Sequence, residues 1–278
     1  MKFASARRLT VATLALTLVT LTGCASATPN DGGSAASSTS DDTRVSGRLS
    51  VAAAASLQPA FEDLTADFTK AHPDVTFDNL TFDGSAVLAT QIIGGAPVDV
   101  FASADERNMS LVSDAHMLAS PAVPFATSSL EIAVAPGNSL GIKTLADLAR
   151  AGSTGKFPTV VVCAAEVPCG SASRKLLDRD GVELHAASEE QSVTAVLTKV
   201  ASGEADAGLV YRSDVLRSDG AVVGIEIPNA IDAAGTYLIA PIEGSGSEPT
   251  AQAFAEYLLS DAAQAHLAEL GFGPVTVG

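Results

Sequence analysis

The sequence predicts an α/β protein with parallel or mixed sheets covered by helices on both faces. Two observations lead there. From about residue 47 onward, short β-like runs alternate with stretches whose apolar residues recur at helical spacing. The chain beyond that point, roughly 230 residues, suits one large domain or two lobes of about 100 residues each. A third observation concerns chemistry: the strand-to-helix corners are small, hydroxyl-bearing and nearly free of charge. In open α/β sheets those corners are where ligands bind.

The elements follow in order. Leu49–Ala53 reads as a strand, and Leu57, Phe61, Leu64 and Phe68 mark the helix behind it, with Ser56 placed as N-cap and Pro59 in the first turn. Val75–Leu80 is a second strand. Leu88 and Ile92 mark a short helix ending at Gly94-Gly95. Val98–Ala102 is a third strand, and Asp105 is placed to cap a helix through Val112. Leu130–Ala135 is a strand, Thr144 caps a helix to Ala151, and Thr159–Cys163 is a strand followed by a helix over Ser171–Asp178. Val193, Val196, Leu197 and Val200 give another helix. Ala207–Tyr211 is a strand with a helical turn opening at Ser213-Asp214. Val222–Ile227 and Thr236–Ile239 are further strands, and Pro249 to Leu270 is helical in two pieces broken near Ser260-Asp261.

The first residues have a different character. Lys2, Arg7 and Arg8 precede an apolar run, Leu9 to Leu21, that is short for a membrane span. It ends in Leu21-Thr22-Gly23-Cys24, which resembles the bacterial lipobox, where the cysteine is lipidated and becomes the mature N-terminus. Residues 1–23 are therefore expected to be a lipoprotein signal peptide. Residues 24–46, rich in Ser, Gly and Asp without apolar periodicity, are expected to form a flexible tether. The formal charge of −16 argues against nucleic acid and anionic lipid surfaces as partners. It also repels anions at long range, so an anion site here has to work through local dipoles. Apart from Cys24 the cysteines are Cys163 and Cys169. Outside the cytoplasm such a pair favours a disulfide closing a small loop. No second ligand pair accompanies it and the four histidines are scattered, which argues against zinc.

The corners themselves hold donors. Ser56 and Ser85 stand at helix starts, Val167-Pro168-Cys169-Gly170 brings backbone to a third corner, Val193 opens a fourth helix, and Tyr211 ends a strand. Helix N-termini leave N–H groups unpaired and carry a partial positive charge, which together bind anions. A site made of donors suits a fully deprotonated tetrahedral dianion, all of whose oxygens accept. A protonated phosphate needs an acceptor or leaves its O–H unpaired at about 1–3 kcal/mol. Asp83, beside Gly84, keeps phosphate in play.

The segments AAASL (Ala53–Leu57), GSAVLATQIIGGAPVDVFASAD (Gly84–Asp105), VPCG (Val167–Gly170) and GLVYRSD (Gly208–Asp214), in that order, resemble the periplasmic molybdate-binding proteins of ABC importers. The resemblance spans nearly all of 47–278. It implies a two-lobed periplasmic-binding-protein clamshell of type II kind, each lobe a mixed, mostly parallel sheet flanked by helices. On that pattern 47–127 form the first part of lobe I, 128–228 form lobe II, and 229–278 return to lobe I. The resemblance implies that molybdate or tungstate is held without cofactor, metal ligand or basic side chain. Ser56 and Ser85 from one lobe supply hydroxyls, Cys169 and Val193 from the other supply N–H groups, and Tyr211 supplies its phenol. It further implies a monomer that delivers the oxyanion to a permease and ATPase from the extracytoplasmic face of the membrane, where a lipid at Cys24 would hold it. Cys169 stands where the family often has alanine, and Ala86 and Val87 stand where relatives offer hydroxyls.

Two alternatives differ in kind. The same clamshell could take sulfate, thiosulfate, phosphate or ferric ion, although a ferric site draws on tyrosine clusters and the chain has only Tyr211, Tyr237 and Tyr257. An extracytoplasmic hydrolase would need a base beside Ser56 or Cys169. His72, His116, His185 and His266 lie in polar stretches without a nucleophile signature.

Overall fold

Two five-stranded sheets organise the fold. The computed structural model describes residues 45–152, 155–233 and 235–275. The expected leader and tether, Cys24 included, lie outside the described residues except for Val45 and Ser46. No helix among the described residues is long and apolar enough to cross a membrane.

The chain opens with β1 (Gly47–Ala54), a 3-10 turn (Ala55–Leu57) and α1 (Gln58–Ala71), followed by β2 (Val75–Asp83), α2 (Ser85–Ile93), β3 (Val100–Ser103), α3 (Glu106–Asp114) and β4 (Val123–Thr127). It continues with β5 (Leu130–Val134), a 3-10 turn (Leu145–Ala149), β6 (Val160–Cys163), α4 (Pro168–Arg179), β7 (Ser188–Glu190), α5 (Val193–Ala201), β8 (Ala207–Tyr211), α6 (Arg212–Arg217) and β9 (Val223–Glu226). After a 3-10 turn (Ala230–Asp232) come β10 (Thr236–Pro241), α7 (Glu248–Tyr257) and α8 (Asp261–Glu269).

The first sheet has the order β2-β1-β3-β10-β4 and the second β7-β6-β8-β5-β9. In the first, β1, β2 and β3 are parallel and β10 runs against both β3 and β4. In the second, β6, β7 and β8 are parallel, while β5 runs against β8 and β9. The chain therefore leaves the first sheet after β4, builds the whole second sheet, and returns to the first as β10. Only Ser128 and Ser129 separate β4 from β5.

Two of these strands, β4 and β7, have no counterpart in the sequence reading, and both lie at sheet edges. Their composition explains it: VPFAT carries a proline, tolerated at an edge, and Ser-Glu-Glu has no apolar residue. Two further departures concern helix starts. The segment after Thr144 is a 3-10 turn rather than an α-helix to Ala151, although Thr144 and Asp147 form the capping box expected of a helix start. Ser56 is not an N-cap: it lies inside the 3-10 turn, α1 starts after Leu57 without a side-chain cap, and the serine hydroxyl goes to Tyr237 instead. Asp105 does cap its helix, accepting from the N–H of Asn108 at 2.9 Å, and Ser260 opens α8 in the same way.

The two halves are packed differently. Around the first sheet the core is aromatic: Phe254 stands edge-on to Phe61, Phe68 and Phe77 at 5.9, 5.3 and 5.1 Å. The second sheet packs on aliphatic residues, among them Ile132, Val160, Leu176, Val196, Val200 and Leu209. Truncating the ring at the centre of the first core, Phe254→Ala, is expected to cost about 3–5 kcal/mol in denaturant unfolding, with no direct change at the strand ends described next.

Candidate functional site

The carboxyl ends of the parallel strands in both sheets face one narrow cavity. Its walls are Ala54, Ala55 and Ser56 after β1, Asp83, Gly84 and Ser85 after β2, and Ala104 after β3. From the second sheet come Val167, Pro168 and Cys169 after β6, Val193 at the start of α5, and Tyr211 at the end of β8. The five residues singled out from sequence, Ser56, Ser85, Cys169, Val193 and Tyr211, are thus brought together, and each is between 1% and 3% exposed. The volume open to the centre of a water-sized sphere is about 10 Å³, near the minimum for a single water. Organic ligands ordinarily occupy cavities of about 300–1,000 Å³. These walls suit a solute of a few atoms, and a five-atom tetrahedral ion needs the two halves set slightly wider.

Close approach of the two halves depends on residues without bulk. A Cβ on Gly84 would lie 2.0 Å from the carbonyl oxygen of Gln191, which follows β7 in the other sheet. Beside it, Asn108 on α3 donates its side-chain amide N–H to the carbonyl of Glu166 at 3.4 Å, a hydrogen bond across the cleft. The alanines ending β1 leave the cavity wall to main chain and to one hydroxyl.

Each donor is placed by its element. Ser85 is the first residue of α2 and Val193 the first of α5; Cys169 is the second of α4, behind Pro168, which has no N–H. The N–H groups at these positions have no partner inside their helices. The disulfide expected from sequence is present: Cys163 at the end of β6 is bonded to Cys169, closing the turn that presents Cys169. Gly170 packs against that same turn, where a Cβ would meet the Ala164 oxygen at 1.9 Å. At β8, the N–H of Tyr211 donates to the Asp214 carboxylate at 3.0 Å. Asp214 in turn is held by Arg217, whose guanidinium also reaches Thr194 at 3.0 Å. This network ties the Tyr211 corner to the start of α5. Burial pushes the Asp214 carboxyl up, while Arg217 and the Tyr211 N–H pull the other way.

The hydroxyls differ in how they are satisfied. Ser56 Oγ is 2.9 Å from the Tyr237 hydroxyl. Ser85 Oγ accepts from the N–H of Ala104 at 3.0 Å. The Tyr211 hydroxyl is buried and has no partner among the described residues, a condition that costs about 1–3 kcal/mol unless something else supplies a bond. Burial pushes the Tyr211 phenol well above its ordinary value, so it stays a neutral donor. Asp83, the carboxylate on the wall, accepts the N–H of Gly84 at 2.7 Å. Among the described residues no lysine, arginine or histidine lines the cavity. Cys169 is spent in the disulfide, Ser56 pairs with a phenol rather than a base, and His266 pairs with Asp63 at 3.1 Å.

Sequence reasoning did not single out Ala104 or Tyr237. Ala104 acts through main chain, and Tyr237 reads as an ordinary core residue.

Residues 49–273 match the family described as bacterial extracellular solute-binding protein. The chain is 40% identical over 258 residues to a protein of Mycobacterium tuberculosis named molybdate-binding protein ModA, covering 93% of this chain and 94% of that one. The chain belongs to the bacterial extracellular solute-binding proteins. Its fold matches the periplasmic molybdate-binding protein of Azotobacter vinelandii with a TM-score of 0.68 at 19% identity, over 82% of this chain and all of that one. It also matches the sulfate-binding protein SubI of Mycobacterium tuberculosis with a TM-score of 0.70 at 20% identity, over 83% and 88% of the two chains. At such identities these two matches speak for the fold of a solute-binding protein: two lobes of mixed sheet and helix with the strand ends turned toward the cleft.

In this solute-binding protein the disulfide closes a loop of six residues' separation, for which chain entropy predicts a contribution of about 2 kcal/mol. Replacing both cysteines, Cys163→Ala with Cys169→Ala, should lower stability by about that amount in denaturant titration, without unfolding the protein.

Proposed function

We propose that this protein captures molybdate, and with it tungstate, outside the cytoplasm and delivers it to the permease and ATPase of an ABC importer. The observation that carries this reading is the cavity: hydroxyls and helix-terminal N–H groups from both halves converge on a space for a few atoms, and among the described residues one phenol there lacks a partner and no cationic side chain attends. The ion is cargo, not cofactor.

In this reading Ser56 and Ser85 donate from lobe I, formed by 47–127 and 229–278. The N–H groups of Cys169 and Val193 and the phenol of Tyr211 donate from lobe II, formed by 128–228. Closing the lobes replaces the ion's hydration shell with fixed donors, and the bond missing from Tyr211 is made by a ligand oxygen. Since Cys169 contributes main chain only, a cysteine serves there as well as an alanine. The names of the relatives support the choice of molybdate, and the donor-rich wall, whose one carboxylate already accepts the N–H of Gly84, supports a fully deprotonated oxyanion. Removal of 1–23, a lipid on Cys24 and a tether over 24–46 would keep the monomer at the outer face of the membrane beside its permease.

Calorimetry on the folded chain should show tight one-to-one binding of molybdate and of tungstate, with sulfate far weaker because it is smaller for the same charge. Sulfate binding as strong as molybdate would sink the assignment. Ser56→Ala and Ser85→Ala should each weaken molybdate binding by about 1–3 kcal/mol, whereas the double cysteine replacement should leave it nearly unchanged. Gly84→Ala, which sets a methyl group against the Gln191 carbonyl, should weaken binding by about 1–3 kcal/mol while the melting temperature of the ion-free protein hardly moves.

A further inference from the structure

Both serines on the cavity wall are already hydrogen-bonded to the protein. At Ser85 the donor is unambiguous, the N–H of Ala104. At Ser56 the partner is the hydroxyl of Tyr237, a residue that does not itself line the cavity. Tyr237 lies in β10, fully buried, its ring edge-on to Phe272 at 5.4 Å and to Tyr211, across the cleft, at 6.0 Å. Between two hydroxyls either can donate. A fully deprotonated oxyanion can only accept, so Ser56 gives it its single proton. The bond between Ser56 and Tyr237 then has to run from the phenol.

We propose that Tyr237 is a positioning residue that sets specificity: by donating its hydroxyl proton to Ser56 Oγ, it commits Ser56 to donate into the cavity and so favours fully deprotonated tetrahedral dianions over protonated ones. The proposal rests on the oxyanion reading above. A phosphate ion keeps at least one proton at neutral pH, whereas molybdate, tungstate and sulfate keep none. The phosphate O–H needs an acceptor, and the serines offer it little: Ser56 is turned to donate by Tyr237 and Ser85 already accepts from Ala104, which leaves the Asp83 carboxylate, partly occupied by the N–H of Gly84, and the Tyr211 oxygen. Cys169, Val193 and Tyr211 present N–H or O–H. Burial pushes the Tyr237 phenol far up, which keeps it protonated and able to play this part.

Tyr237→Phe removes one oxygen and keeps the ring in its aromatic setting. Calorimetry with molybdate, and with inorganic phosphate by competition, reads the effect. Molybdate should bind about tenfold more weakly, while phosphate binding is undiminished, because Ser56, no longer oriented by the phenol, can turn its proton away and accept the phosphate O–H, and the preference for molybdate contracts. Equal losses for molybdate, sulfate and phosphate, or no loss for molybdate, would overturn the proposal. In a Ser56→Ala background, adding Tyr237→Phe should change molybdate affinity no further, since the phenol acts through Ser56; additive losses would also overturn it. Thermal unfolding without ligand checks that the variant folds. Should it not fold, Ser56→Ala alone gives the same reading, a larger loss for molybdate than for phosphate, and equal losses count against the proposal. Failure of the unaltered protein to bind molybdate would show in the first titration and would overturn the oxyanion reading itself, and the proposal with it.

Discussion

Between Gly84 and the carbonyl of Gln191 there is no room for a methyl group, and the geometry of the site follows from that contact. A helix N-terminus offers its N–H dipoles only over a short range. For the starts of α2, α4 and α5 to act on one small ion, the two sheets have to present their strand ends almost in contact. Glycine at 84 and alanines at 54 and 55 permit this by giving up side chains where the halves meet. The rest of each half is organised to hold those ends still: the aromatic core behind β1, the disulfide beneath Cys169, and the Asp214–Arg217–Thr194 network between Tyr211 and α5.

Charge makes the arrangement more specific. The chain carries a formal charge of −16, so the field of the whole molecule does not draw an anion in. Basic side chains around the second half are matched to acids: Arg217 to Asp214 at 2.9 Å and Arg174 to Glu189 at 3.0 Å. The attraction in the cavity is left to neutral dipoles, whose orientation is fixed and whose reach is short. On the proposed reading such a site discriminates by protonation and by radius, since an extra proton on the ligand meets mostly donors and a smaller ion leaves some donors out of reach.

The sequence made the alternation of strands and helices legible because the interior strands are apolar and their helices keep a clear period. It did not reveal β4 or β7, edge strands with a proline in one and no apolar residue in the other, for which neither pattern nor propensity leaves a trace. At the site, Ser56, Ser85, Cys169, Val193 and Tyr211 could be named because they sit in short motifs at strand ends, and the structure gathers them around one cavity. Ser56 was nonetheless given the wrong local role. A serine before a helical run ordinarily caps it, but here a buried phenol from a strand 181 residues away competes for the hydroxyl and wins. That partner had no local signal: a tyrosine in a buried strand looks the same whether or not its oxygen reaches a functional group.

The two tyrosines carry the argument one step further. Tyr211 belongs to the second sheet and Tyr237 to the first, and their rings meet edge-on across the cleft at 6.0 Å. One hydroxyl lacks a partner among the described residues, and the other is bonded to Ser56. Neither half of the molecule contains the full set of donors, so affinity for an ion and closure of the halves draw on the same contacts. On the proposed reading, an ion that satisfies Ser56, Ser85 and Tyr211 together favours the closed arrangement by its differential affinity for it. An ion with one proton too many would leave a donor unanswered and would favour closure less. Recognition of the ion and the closed shape offered to a partner are then one equilibrium, set by which way the protons on three hydroxyls point.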